Sequence, residues 1–285
     1  VTTTLAVTGA TGGLGGRVAR ALAARGVAQR LLVRDPARAP QLPGATVART
    51  TYDDRGAAVA ALDGVRTLLM VSAAETEDRL AEHRAFVDAA AQAGVEHVVY
   101  TSFYGAAPQA TFTLARDHWF TEEHLRASGM GFTFLRDNLY LDFLPHMVGE
   151  DDVLRGPAGD GRLAAVSRDD IAASALAVLL APGEHVGATY DLTGPEALTF
   201  AEIAAVIASH TGRPVTFHDE TVDEAYASRR RWEAPPWQYD AWVSTYTAVA
   251  AGELAGVTDH VARLTGRAPT GLAAYLAAQH DEEIP

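Results

Sequence analysis

Apolar positions along the chain follow two rhythms. Short runs at residues 5–8, 31–33, 45–48, 67–71, 97–101 and 132–135 show little alternation between apolar and polar side chains. Such runs are expected of strands buried on both faces. Between them, residues 14–25, 55–62, 77–93 and 115–127 carry apolar side chains every three to four positions, the period of a helix with one face in the core. Gly26, Gly94 and the pair Ser128-Gly129 fall where three of these helices must stop. Strands alternating with helices predict an α/β fold, a doubly wound parallel sheet with right-handed crossovers.

After Arg136 the rhythm loosens. Residues 138–161 read as an irregular segment with a short helix, and 164–166 as a strand. Ser167-Arg168-Asp169-Asp170 caps a helix to about Leu180, because Ser and Asp oxygens accept the free N–H groups of a first turn. Residues 189–192 read as the last core strand. Helices dominate from Gly194 onward, including 199–210 and 239–250. The expected organisation is a dinucleotide-binding core over 1–137, to which 164–192 return, and a smaller, mostly helical substrate lobe from 138–163 and 193–285.

Composition narrows the chemistry. The 285 residues are 48% hydrophobic, enough for one large core plus a smaller lobe. The formal net charge of −13 repels phosphate backbones and speaks against a nucleic-acid partner. With no cysteine, disulfides, thiolate catalysis and Cys-ligated zinc drop out. All 23 basic residues are Arg, and Lys is absent. No apolar run is long enough to span a membrane. Residues 1–10 lead straight into a strand pattern, without the features of a signal peptide. A cytoplasmic protein acting on a small molecule is the expectation, with a homodimer allowed.

The most specific motif is Thr8-Gly9-Ala10-Thr11-Gly12-Gly13-Leu14-Gly15, placed between the first strand and the first helix. That is the context in which a glycine loop holds a pyrophosphate. Gly9 permits the tight turn, Gly12 close approach to the phosphates, and Gly15 close packing of helix on sheet. The free N–H groups of the helix start then face the anion. An NAD site usually carries an acid at the end of the second strand. Here that strand ends in Arg34, whose forked guanidinium suits a 2′-phosphate. Arg38, one turn on, offers a second contact. NADP(H) is therefore the expected cofactor. Asp35 tempers this, because it can turn inward or pair with Arg34. Arg17 is placed either near the phosphates or in solvent. Val71-Ser72 and Ser102 should line the crevice at the carboxyl ends of their strands. Asp53 and Asp54 stand equally for adenine contacts and for a helix cap.

From these motifs the chain resembles the atypical short-chain dehydrogenase/reductase family, specifically its NmrA-like branch. The resemblance extends through Val33-Arg34-Asp35-Pro36-Ala37-Arg38, Tyr100-Thr101-Ser102 and Leu135-Arg136-Asp137-Asn138. It continues in Ser167-Arg168-Asp169-Asp170-Ile171, Tyr190-Asp191-Leu192-Thr193-Gly194 and Gly252-Glu253-Leu254-Ala255. Within the branch the chain is most similar to bacterial NADPH-dependent quinone oxidoreductases. The resemblance implies a Rossmann-type core and hydride transfer to a conjugated carbonyl. Members of the wider family use Tyr-x-x-x-Lys, which a chain without Lys cannot have. Leu114 falls at the tyrosine position and His118 at the lysine position, with Glu122 one turn further on the same face. His118 is a candidate for holding the nicotinamide ribose or giving a proton near neutral pH, against a plain surface or capping role. Tyr104 is a second candidate donor, against simple packing. Asn138 and Tyr140 are candidates for the substrate pocket, against hydrogen bonding within their loop.

Other groups carry weaker signals. The histidines show no convincing metal spacing, so no metal site is expected. Glu122-Glu123 read as a solvated face and Arg229-Arg230-Arg231 as a solvated helix end. Trp232, Trp237, Tyr239, Trp242 and Tyr246 form either core or a lid over a planar substrate. Two further roles stay open beside a reductase: a cofactor-binding sensor without turnover, and a biosynthetic enzyme doing non-redox chemistry on the same fold.

Overall fold

The computed structural model describes residues 4–283, with side chains through residue 279. Val1, Thr2 and Thr3, the start of the expected strand pattern, lie outside the described residues. In chain order the elements are β1 (Leu5–Thr8), α1 (Gly13–Ala24), β2 (Gln29–Val33), β3 (Ala45–Arg49), α2 (Arg55–Ala61), β4 (Thr67–Met70), α3 (Arg79–Gln92), β5 (His97–Phe103), α4 (Thr113–Ala127) and β6 (Gly131–Asp137). They continue with β7 (Val153–Gly156), β8 (Arg162–Leu163), α5 (Arg168–Leu180), β9 (Thr189–Leu192), β10 (Leu198–Thr199), α6 (Phe200–Thr211) and β11 (Thr216–Asp219). The helices α7 (Val222–Arg229), α8 (Pro236–Ala250), α9 (His260–Thr265) and α10 (Leu272–Glu283) complete the chain. Short 3₁₀ turns at Pro36–Arg38 and Leu141–Met147 lie between them.

Seven strands form one sheet in the order β3-β2-β1-β4-β5-β6-β9. β1 is parallel to both neighbours, with Val7 beside Leu31 on one side and Leu69 on the other. The chain builds outward from β1 to β2 and β3, then crosses back to β4. This reversal opens a crevice at the carboxyl ends of β1 and β4, the usual ligand position in a doubly wound sheet. Central strands are the apolar runs: all seven residues of β5 are buried. β3, at the edge, leaves Val47 44% exposed. Leu14, Val18 and Leu22, one turn apart, give α1 its buried stripe. On the face of α2, α3 and α4, Leu62, Phe86, Val87, Tyr100, Leu125 and Phe134 form a continuous core.

The chain divides into two compact units, Val1–Phe103 with Asp117–Arg136 and Asp169–Tyr190, and Tyr104–Arg116 with Asp137–Arg168 and Asp191–Pro285. In the second unit, two small sheets pair β7 with β11 and β8 with β10. Thr199 and Thr221 start α6 and α7 with reciprocal capping boxes, through Glu202 and Glu224. The strand expected at 164–166 is displaced. Pairing stops at Leu163, because its partner β10 is only two residues long, and Val166 makes a single bridge to Tyr140. The expected irregular segment at 138–161 contains β7. Among the described residues no helix is long and apolar enough to cross a membrane.

Candidate cofactor site

The glycine loop builds the crevice floor. Gly9 has φ +65°, and a Cβ there would stand 3.2 Å from Val71 Cβ, so the turn runs tightly against the end of β4. A Cβ on Gly15 would lie 2.4 Å from Gly9 O and 2.6 Å from Thr8 O. Only glycine lets α1 begin this close to the strand. Gly12 caps α1 without any side-chain hydrogen bond, and the first turn holds no acid. Its N–H groups thus face outward with no internal anion, as a phosphate-binding helix start requires. Thr11, Gly12 and Gly13 are exposed at the mouth, whereas Leu14 and Gly15 are buried beneath it. Arg17 turns back to this loop. Its guanidinium donates to Gly13 O at 2.8 Å and to Asp169 Oδ1 at 2.7 Å.

Arg34 follows β2 and is exposed. Among the described residues neither it nor Arg38 pairs with a carboxylate. Asp35 does not turn inward, since its carboxylate accepts from Ala37 N and caps the 3₁₀ turn. The pairing of Arg34 with Asp35, weighed from sequence, is therefore absent. Asp54 is the cap of α2, accepting from Ala57 N at 2.9 Å. Asp53 stays exposed, its carboxyl held below its ordinary pKa by a hydrogen bond from Thr51.

The carboxyl ends of β1 and β4 are pinned together. Val71 N–H donates to Thr8 Oγ1 at 2.8 Å, and the Tyr52 hydroxyl donates to Val71 O while lying 2.7 Å from Thr8 Oγ1. Tyr52 stacks on Phe86, and burial raises its pKa. Ser72 N–H donates to Thr101 Oγ1. The next residue, Ala73, is gripped twice: its N–H donates to His83 Nε2 at 2.8 Å and its carbonyl accepts from Arg79 Nε at 3.1 Å.

Those two side chains open a buried polar network. Arg79 Nη2 donates to His118 Nε2 at 2.9 Å, so neutral His118 carries its proton on Nδ1, 2.9 Å from the Tyr100 hydroxyl. The backbone donor on His83 Nε2 likewise fixes its proton on Nδ1, facing Thr121 Oγ1 at 2.9 Å. The Thr121 hydroxyl in turn donates a hydrogen bond to Asp117 O. Burial first, and Arg79 second, push His83 down to about 3 and His118 well below its ordinary value.

Four sequence expectations change here. His118 is not a surface histidine. It is 5% exposed, Arg79 and the Tyr100 hydroxyl engage its two ring nitrogens, and burial lowers its pKa well below that expected of a proton donor near neutral pH. Ser102 does not line the crevice, because β5 continues to Phe103 and strand alternation turns its side chain inward. Its hydroxyl donates to Glu122 Oε1 at 2.6 Å. Glu122 is fully buried rather than solvated, with Arg136 donating to both its oxygens at 2.7 and 2.6 Å and Arg126 at 3.2 Å. Arg229 is no solvated helix end but 7% exposed, paired with Glu220 at 2.9 Å.

In the second unit, Asn138 is fully buried and satisfied by backbone. Its Nδ2 donates to Leu254 O, and its Oδ1 accepts from Leu139 N. It holds a loop instead of bordering a pocket. The Tyr140 hydroxyl donates to Asp137, and its ring stacks on Phe143 beneath Arg168. The Tyr104 hydroxyl packs against Gly256, where a Cβ would come 2.0 Å from its oxygen; burial and Asp191 raise its pKa.

Sequence reasoning gave no role to Arg79, His83, Tyr100 and Arg136, although Tyr100 and Arg136 stand in motifs of the family resemblance. The available signal was positional: Arg79 and His83 lie four apart on one helix, as His118 and Glu122 do on the next.

Residues 1–228 match the NmrA-like family. Quinone oxidoreductase 2 of Escherichia coli (strain K12) is 34% identical, over 94% of this chain and 96% of its own length. The NAD(P)H azoreductase of Xenophilus azovorans is 32% identical, over 95% and 96%. The solved structure of the E. coli NADPH-dependent quinone oxidoreductase complexed with NADPH has a TM-score of 0.88 at 32% identity, covering 97% of this chain and 99% of that one. Citrobacter sp. triphenylmethane reductase complexed with NADP(H) has a TM-score of 0.86 at 29% identity, covering 96% and 99%.

Proposed function

The chain belongs to the NmrA-like family, and on that premise we propose that it is an NADPH-dependent oxidoreductase acting on quinones or other conjugated carbonyls. The observation that carries this reading is a start of α1 with no acid and no side-chain cap, combined with an Arg34 guanidinium that has no carboxylate partner among the described residues. Gly9, Thr11, Gly12 and Gly13 would cradle the pyrophosphate, with Leu14 and Gly15 seating the loop beneath. Arg34, helped by Arg38, would hold the 2′-phosphate. Val71 and Ser72 would border the nicotinamide half along the end of β4. Bound NADPH would supply the hydride.

The chain's own part is to bind, orient and exclude. Arg79 and His83 fix Ala73, which sets the path of the segment after β4. His118, buried between Arg79 and Tyr100, positions both. An acceptor that suits this arrangement needs no strong protein acid. A quinone meets that condition, because its reduced form is an acidic phenol that takes its proton from water. A simple ketone does not, since its alkoxide needs a donor such as the missing Tyr/Lys pair. The acidic net charge weighs against nucleic acid as partner.

The test is NADPH oxidation followed by absorbance with 1,4-benzoquinone, 1,4-naphthoquinone and a simple ketone. Turnover with the quinones and none with the ketone is expected. Tight NADPH binding without turnover on any quinone would refute the reductase and leave a cofactor sensor.

A further inference from the structure

Within the second unit a cavity of about 620 Å³ opens among residues 146–149, β7, the end of α7 and α8. That volume lies in the range of small-molecule sites. Trp232 and Trp242 meet edge to face at its wall, ring centres 6.1 Å apart and planes at 75°. Tyr246 lines the cavity too, fixed by Phe200 with ring centres 5.0 Å apart. Trp232 keeps 49% of its surface exposed, a large planar face left partly in water.

The charges are one-sided. Arg155, Arg229 and Arg231 line the cavity, and no carboxylate among the described residues does. Arg155 is neutralised from outside the lining by Asp151, and Arg229 by Glu220. Arg231 pairs with no carboxylate among the described residues, and its guanidinium lies 4.0 Å from the centre of the Trp232 ring. In a chain of net charge −13, a cavity lined by three arginines and by no acid among the described residues is a local exception. A cation beside the exposed Trp232 indole and the half-buried Trp242 complements a flat ring bearing an anionic group.

We propose that this cavity binds a planar aromatic anion, an arene carboxylate or sulfonate, its ring against Trp232 and Trp242 and its acidic group on Arg231. That such ligands are acidic quinones taken as acceptors rests on the reductase reading; the binding itself does not.

Calorimetric titration of the whole protein without cofactor tests it, with naphthalene-2-sulfonate and its neutral counterpart naphthalene-2-sulfonamide as probes. The sulfonate should bind more tightly. Arg231→Gln should weaken the sulfonate about fivefold, the upper size expected for one partly exposed ion pair, and leave the sulfonamide within about twofold. Trp232→Ala should weaken both probes. Both side chains are exposed, and unchanged melting temperatures of the variants will confirm that the fold is intact. Arg34→Gln should leave both affinities unchanged. Absence of sulfonate binding at millimolar concentration, equal affinity for the two probes, or a loss in Arg34→Gln instead of Arg231→Gln would each overturn the proposal. None of these results bears on NADPH oxidation, and a failure of that assay leaves this titration standing.

Discussion

Lowering the pH from 7 to 5 should destabilise this protein through histidines that never reach solvent. His83 accepts a backbone N–H at Nε2, and burial holds its pKa near 3, against 6.5 for the free side chain. Between those two values the unfolded chain binds a proton that the folded chain refuses, so stability falls as pH drops below 6.5. At pH 5 the folded pKa of about 3 costs about 2 kcal/mol of stability from His83 alone. His118, buried and beside Arg79, adds to the loss in the same direction, as does His97. The assay is urea denaturation at pH 7, 6 and 5, read as midpoint and slope. His83→Gln serves as control, because its amide oxygen can still accept from Ala73 N–H while the side chain no longer titrates. Its stability at pH 5 should lie closer to its own value at pH 7 by that same 2 kcal/mol. Midpoints that do not move between pH 7 and 5, or a His83→Gln variant with the full acid slope, would refute the assignment of these rings as neutral, pinned groups.

Other expectations follow from the same geometry. Gly15→Ala puts a methyl 2.4 Å from Gly9 O, so α1 must shift and the NADPH dissociation constant should rise at least about tenfold. Gly26→Ala, whose Cβ meets nothing within 4 Å, should lose stability through its positive φ and leave cofactor binding unchanged. Glu122→Gln removes the buried carboxylate that accepts from Ser102, Arg126 and Arg136 and should cost about 1–3 kcal/mol, read as a melting temperature lower by roughly 2–6 °C. If that variant melts like the wild type, the buried pair has been misjudged.

What the sequence reveals depends on how local the cause is. Gly9 and Gly15 are legible because a turn with positive φ and a helix start against a strand exclude every other residue, and the strand–loop–helix context sits within a dozen positions. Strands β1, β2, β4 and β5 are legible because burial on both faces leaves unbroken apolar runs. The network of Arg79, His83, Tyr100 and His118 is not legible in this way. It forms only when α3 and α4 lie side by side across β5, and Arg79, His83 and His118 each alone look like surface side chains. Glu122 illustrates the difficulty: next to Glu123 it reads as solvated, yet its partners Ser102 and Arg136 come from two strands. β7 escapes notice because only four residues pair, and the partner β11 lies some sixty positions away. Arg34 presents the opposite case, since its position after β2 follows directly from the sequence order.

Phosphate recognition by the start of α1 and by Arg34 is measured most directly by one comparison. Dissociation constants for NADPH and NADH should be determined by fluorescence titration on the wild type and on Arg34→Gln. The wild type should prefer NADPH by about ten- to a hundredfold, the size of one or two charge-assisted hydrogen bonds, and the substitution should erase most of that preference while sparing NADH. Equal affinities in the wild type, or an undiminished preference in Arg34→Gln, would contradict it.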